Sequence, residues 1–171
     1  MKEGNGMIYL DHAATTPVHP EVAEAMAPFL GEKFGNPSSL HRFGRMVRQA
    51  IDEAREAIAE SLGVHPGELI FTSGGTEADN LALFGAAWAA RERGKGNHVV
   101  TSAVEHHAVL ETCAFLEKLG FRVTYVPVNR HGEVDLDALA AALTDDTVLV
   151  SVMMGTNEVG TRQPIETIGA L

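Results

Sequence analysis

Residues 69–83, LIFTSGGTEADNLAL, constrain the fold more than any other stretch of this chain. The opening apolar run, Leu69-Ile70-Phe71, predicts a short buried strand reaching Thr72. Thr72-Ser73-Gly74-Gly75-Thr76 then breaks the pattern. Two adjacent glycines let a backbone turn tightly and meet a ligand with no Cβ in the way. Beyond them Ala78, Leu81, Ala82, Gly85, Trp88 and Ala89 recur at helical spacing, which predicts a helix from about Thr76 to Arg93. A strand, a glycine turn and a helix N-terminus form an anion site, because the first helical N–H groups are unpaired and the dipole favours negative charge. Thr76 adds a hydroxyl. The same residues also suit an ordinary βα turn, with Thr76 as the cap and Glu77 or Asp79 easing the dipole. The pattern is not G-x-G-x-x-G, and no Lys follows the glycines as in a Walker loop. A phosphate here is expected to rest on backbone N–H groups and hydroxyls, which suits a cofactor with one phosphate.

Around this stretch the chain alternates. Pro20 opens a helix through about Leu30, with Val22, Met26 and Phe29 on its inner face. Residues 31–42, including Gly35-Asn36-Pro37-Ser38-Ser39, read as a long functional loop. A helix follows over 42–62, with Val47, Ile51, Ala54, Ile58 and Leu62 in one apolar stripe and Gly63 as a left-handed cap. After the central unit come strands at 98–102, 122–128 and 147–153. The last is apolar throughout, as a strand covered on both faces should be. Helices are expected at 107–119, closed by Gly120, and after Asp135, and another opens at Pro164. Residues 7–10 read as a strand or extended arm. The expectation is an α/β fold with a mostly parallel sheet flanked by helices. Residues 1–65 form an arm and helices, and 66–171 begin the α/β domain.

Bulk properties exclude several classes. A chain of 171 residues can bury about two thirds of its unfolded surface without staples. The net charge of −10 argues against nucleic-acid and acidic-membrane partners. Arg42, Arg45, Arg48 and Arg55 read as a solvated or ion-paired helix face. The single cysteine, Cys113, excludes an internal disulfide framework and sits at an apolar position, so it reads as a small buried residue. The histidines form no metal-spaced set. No apolar run approaches the about 18 residues that span a bilayer, and MKEGNGMIYLDH has no apolar leader core, so the chain reads as cytoplasmic. The final helix stops after about two turns, which suggests the N-terminal piece of something longer.

In open α/β sheets, ligands sit beyond the carboxyl ends of the strands. Three segments should therefore share a site: Gly74-Gly75-Thr76, Val104-Glu105-His106, and Gly155-Thr156-Asn157-Glu158. The first suits a phosphate. The second offers an imidazole to stack on a ring or move a proton, with helix capping as its alternative role. The third offers an amide for a phenolate-like oxygen. Phosphate, aromatic ring and ring oxygen are the parts of pyridoxal phosphate.

Five motifs in order carry a specific resemblance: YLDHAATTP at 9–17, FGNPSS at 34–39, FTSGGTE at 71–77, EHHAVL at 105–110 and NEVG at 157–160. Together they resemble the N-terminal part of cysteine desulfurases of the NifS/IscS type, class-V aminotransferases with the fold-type I architecture of pyridoxal-phosphate enzymes. The resemblance implies that Gly75 and Thr76 hold the cofactor phosphate. It implies that His106 stacks on the pyridine ring and acts in proton transfer, and that Asn157 bonds the ring oxygen O3′ and approaches the substrate carboxylate. It gives the loop at Asn36 a place near the active-site mouth. Two positions depart from the family pattern: Thr156 stands where Asn often precedes the Asn-Glu pair, and Gly75 where Ala is usual.

The implied reaction converts L-cysteine to L-alanine and leaves an enzyme persulfide for iron–sulfur cluster or thio-cofactor assembly. Implied partners are a second copy, as a homodimer, and a sulfur-acceptor or scaffold protein. The family's Schiff-base Lys, pyridine-pairing Asp and persulfide Cys match no position here, so the large domain is expected to be incomplete and the chain inactive alone. Alternatives are a selenocysteine lyase or aminotransferase-like relative, and, from another class, a non-catalytic assembly module. A nucleotide-binding βα module is disfavoured by the missing Lys and G-x-G-x-x-G.

Overall fold

A computed structural model describes residues 8–171. The backbone falls into two compact units, the first ending at Phe71 and the second running over Thr72–Leu171. In the first unit, α1 (Pro20–Met26) opens with Pro and tightens into a 3-10 turn, Ala27–Leu30. The long helix α2 (Arg42–Leu62) begins at His41, whose ring nitrogen accepts the Gly44 N–H, and ends at Gly63 with φ of 67°. That left-handed cap is what a glycine after the last apolar residue permits. The apolar stripe on α2 is only partly covered: Val47 is buried, whereas Ile51, Ile58 and Leu62 are exposed.

The strand expected at 69–72 does not form. Leu69 is extended, but it pairs with no strand, and Ile70 and Phe71 are exposed. Local contacts hold the run instead. The Arg55 guanidinium donates to the Leu69 carbonyl and lies 4.6 Å from the Phe71 ring centroid. A run of three apolar residues has no strand identity without a ladder partner, because its backbone groups must bond across the sheet. Part of the arm expected at 7–10, Met7, lies outside the described residues. Ile8 to Leu10 form no strand, and the Tyr9 hydroxyl reaches the Asp11 and Thr15 carbonyls at 2.9 and 3.2 Å.

The second unit holds helix α3 (Gly75–Glu92), strand β1 (His98–Ser102), α4 (His107–Lys118), β2 (Arg122–Val126), α5 (Leu136–Ala142), β3 (Thr147–Ser151) and α6 (Ile165–Ala170). The three strands are parallel in the order β2-β1-β3, with Val99 opposite Val123 and Leu149. Central β1 is buried along its whole length. Its side chains alternate between two cores, as strand geometry requires. Val99 joins Leu83, Ala87, Val109, Cys113, Leu116 and Phe121, while Val100 joins Val126, Val134 and Leu139. Each fully buried side chain of Leu116 size stabilises the fold by about 1.5–3 kcal/mol relative to exposure.

Both outer strands are shorter than their apolar runs. β2 ends before Pro127, which lacks the N–H a ladder needs, and Val128 makes only an isolated bridge to Val134. β3 is half-exposed rather than covered on both faces, because it lies at the edge of the described sheet. Asp135 caps α5 through Ala138 N–H at 2.9 Å, as its position before the apolar periodicity predicts. Pro164 is the cap of α6 rather than its first residue.

Candidate active site

Parallel strands deliver their carboxyl ends to one edge, and the chain leaves β1 there through Ala103 to His106 into α4. His106 is the N-cap of α4. Its Nδ1 accepts the Ala108 N–H at 3.1 Å, which assigns the ring proton of the neutral form to Nε2. His41 and His65 cap their helices in the same way, through Gly44 and Gly67 N–H groups. Imidazole serves here as Asn or Ser does elsewhere, by offering one well-aimed acceptor.

Helix α3 begins differently. Its N-cap is Gly74, with no capping side chain, and the first bond into the helix runs from Ala78 N–H to Gly74 O. Thr76 therefore sits inside the first turn instead of capping it. The N–H groups of Gly75, Thr76 and Glu77 precede that first bond. The Glu77 carboxylate turns back to the Ser73 N–H and hydroxyl, each at 2.7 Å, and these bonds hold it below the usual carboxylate range. An ideal Cβ built at Gly74 or Gly75 meets nothing within 4 Å.

The two helix starts open onto one hollow of about 510 Å³. Thr76, Asn80 and Phe84 line it from α3, and His106, Thr112 and Phe115 from the α4 side. Phe84 and Phe115, both in its lining, meet edge to face with ring centroids 5.7 Å apart. The hollow thus brings together Thr76 of the uncapped first turn, an imidazole and two aromatic rings, while Gly75 does not line it. That arrangement suits a ligand with an anionic end and a flat ring.

Asn157 does not line this hollow. It stands exposed at the turn of a closed loop over 155–162. Gly155 bridges Arg162, and Gly160 with φ of 71° closes onto the Thr156 carbonyl at 2.9 Å. Buried Thr156 accepts the Thr161 N–H on its hydroxyl at 3.1 Å. This is what the hydroxyl at the departing position does: it closes the loop that presents Asn157. The loop is further held by Gln163, which donates to the Gly132 carbonyl at 2.7 Å and accepts the Val134 N–H at 2.9 Å.

Sequence reasoning gave no role to Glu105. Its side chain is buried, and Oε1 accepts from Ser102 Oγ at 2.6 Å and from Met153 N–H at 2.8 Å. Burial raises the carboxyl above its ordinary range, against the Ser102 and Met153 hydrogen bonds that lower it. The signal was a charged residue directly after a buried strand, but what it bonds to lies 48 residues away. Asn80 and Thr112 were missed in the same way. Cys113 is buried, and desolvation pushes its thiol up to about 11, so it is no nucleophile at neutral pH. Among the described residues there is no cluster of His, Cys, Asp or Glu able to hold a metal, and no helix is long and apolar enough to cross a membrane.

Comparison with known proteins gives this geometry a family. The aminotransferase class-V family model matches residues 8–171. A curated relative, cysteine desulfurase IscS of Dictyoglomus turgidum (strain DSM 6724 / Z-1310), is 58% identical over 96% of this chain and 41% of its own length. Among solved structures, a NifS-like protein superposes with a TM-score of 0.90 at 43% identity, over 95% of this chain and 44% of that one. A structure described as SspA in complex with cysteine gives 0.87 at 42% identity, over 95% and 46%. The chain spans less than half the length of these relatives. The chain is thus similar to NifS/IscS-type cysteine desulfurases, and, matched from Ile8 to Leu171, it belongs to the class-V aminotransferase family.

Proposed function

We propose that this chain supplies the phosphate-holding and ring-facing part of a cysteine desulfurase that uses pyridoxal phosphate. The reaction takes sulfur from L-cysteine, leaves L-alanine, and passes the sulfur as an enzyme persulfide to an acceptor or scaffold protein of iron–sulfur cluster or thio-cofactor assembly. The whole protein works as a homodimer. One observation carries the reading: Thr76, in the first turn of α3, and His106, at the β1–α4 junction, line one hollow. The solved relative described with cysteine supports the substrate.

The residues present fit the cofactor. The start of α3 has N–H groups without a side-chain cap and open space over Gly74 and Gly75, which a phosphoryl group can fill. Pyridoxal phosphate, when bound, supplies an electron-withdrawing ring that stabilises negative charge at the substrate carbon. Gly75 and Thr76 bind its phosphate. His106 would face its ring and would handle protons at Nε2, because Nδ1 is engaged by Ala108 N–H. Asn157, which stands exposed on the loop over 155–162 and outside the hollow, would bond the ring oxygen and orient the substrate carboxylate.

Calorimetric titration of the 171-residue chain with pyridoxal phosphate tests the proposal. Saturable binding is expected, weakened by Thr76→Val, His106→Ala and Asn157→Ala. Binding that none of the three changes overturns the site. The chain alone is expected to release no alanine from L-cysteine, because no residue in it matches the family's Schiff-base Lys.

A further inference from the structure

The two sides of the hollow are joined by a continuous line of hydrogen bonds. Asn80 Nδ2 donates to the Thr76 carbonyl at 2.8 Å, which turns Asn80 Oδ1 toward α4. There the Thr112 hydroxyl stands 2.7 Å from Asn80 Oδ1 and 2.7 Å from the Ala108 carbonyl, its one proton shared between two acceptors. Ala108 in turn donates its N–H to His106 Nδ1 at 3.1 Å. Thr112 is buried, and the pair spans 32 residues of sequence. The Asn80–Thr112 bond thus joins α3 to α4, two helices that pack on one another.

We propose that Asn80 and Thr112 are positioning residues that set the distance and orientation between the phosphate-holding turn at Thr76 and the His106 ring. The inference rests on the pyridoxal-phosphate reading above. Neither residue needs to touch the ligand. Their hydrogen bonds are worth having because a ligand that contacts both ends is held well only when the ends are correctly spaced. A buried hydroxyl with two partners also holds one rotamer, so the relay is stiff. A ligand that touches only the turn is indifferent to that spacing.

That difference supplies the test. Thr112→Val keeps the shape and removes the hydroxyl. Binding of two probes, inorganic phosphate and pyridoxal phosphate, is measured on the 171-residue chain, the Val variant and a Thr112→Ser variant. The expected result is a loss of about tenfold in pyridoxal phosphate affinity, recovery with Ser, and inorganic phosphate affinity within twofold of the unmodified chain. Equal losses for both probes mean general loosening of the helix pair and overturn the proposal, as does no loss for either. Without ligand, ¹⁵N spectra of Thr112→Val and Asn80→Ala are expected to shift the Thr76 amide and the His106 ring nitrogens together. Unmoved Thr76 and His106 resonances overturn the relay even if the unmodified chain fails to bind pyridoxal phosphate, an outcome that would count against the functional reading alone.

Discussion

Glu105 holds Met153 by its backbone: Oε1 accepts the Met153 N–H at 2.8 Å while also accepting the Ser102 hydroxyl at 2.6 Å. One buried carboxylate oxygen therefore ties the exit of β1, one residue before His106, to the segment leading from β3 toward Asn157. Burial raises this carboxyl, so the folded chain takes up its proton more readily than the unfolded chain does. The sign follows from proton counts. As pH rises from the ordinary value of 4.5 toward the raised folded value, the unfolded chain is already ionised and the folded one is not, so stability falls across that window. Glu105→Gln keeps the acceptor oxygen and removes the charge. Urea melts at a series of pH values are expected to show this slope in the unmodified chain and its loss in the Gln variant. Glu105→Ala, which strands the Met153 N–H, is expected to cost about 1–3 kcal/mol at neutral pH.

Thr156→Val probes the next segment. The hydroxyl of Thr156 is the acceptor for Thr161 N–H, and the residue is buried, so no conformational freedom lets another group replace it. Loss of the bond is expected to cost about 1 kcal/mol. The effect should be local, with faster amide hydrogen exchange over residues 156–161 and little change in β1. Unchanged exchange at Thr161 counts against the closure described here.

What was legible in the sequence depended on whether the determining contacts were local. Gly63 as a left-handed cap, Asp135 as an N-cap and the bounds of β1 and α2 all follow from residues within a turn or two of themselves. The strand expected at 69–72 fails for the opposite reason: its identity requires a neighbour, and periodicity carries no record of neighbours. The extent of burial failed similarly at β3 and along α2, where apolar character is present but cover is not. At the site, His106 was recoverable because βα topology brings the end of β1 to one edge, and Thr76 because the glycine turn and the apolar periodicity after it mark the start of α3. Glu105, Asn80 and Thr112 were not, since each acts through a partner more than 30 residues away.

Gly44 tests the first unit. A Cβ there would land on the Ser39 carbonyl oxygen, with Asn36 O at 2.7 Å, both backbone atoms of the loop that precedes α2. Backbone cannot swing aside as a side chain can, and Asn36 O also accepts the Ser39 N–H at 2.9 Å. Gly44→Ala is therefore expected to destabilise the unit by about 1–3 kcal/mol through overpacking, despite alanine's better helix propensity. Thermal unfolding followed by circular dichroism measures it. A variant as stable as the original would mean that the loop over 36–39 is not seated on the first turn of α2.

His98 gives the opposite pH sign from Glu105, and the two can be separated. It is buried in β1, and its ring nitrogens lie 2.8 Å from Thr147 Oγ1 on β3 and 2.8 Å from Thr124 Oγ1 on β2, so one imidazole spans all three strands. Desolvation lowers its affinity for a proton, with the Arg122 charge adding to the effect and Asp146 opposing it. As pH falls below the ordinary 6.5, the unfolded chain takes up a proton that the folded chain refuses, so stability is lost on the acid side until the lowered folded value is passed. His98→Asn keeps one donor and one acceptor but does not titrate. Its stability should be lower than that of the unmodified chain at pH 7.5, where the native ring satisfies both threonines, and the gap should narrow at pH 5.5. A gap that stays constant over that range would mean that His98 is free to take a proton in the folded sheet, which its three-strand position does not allow.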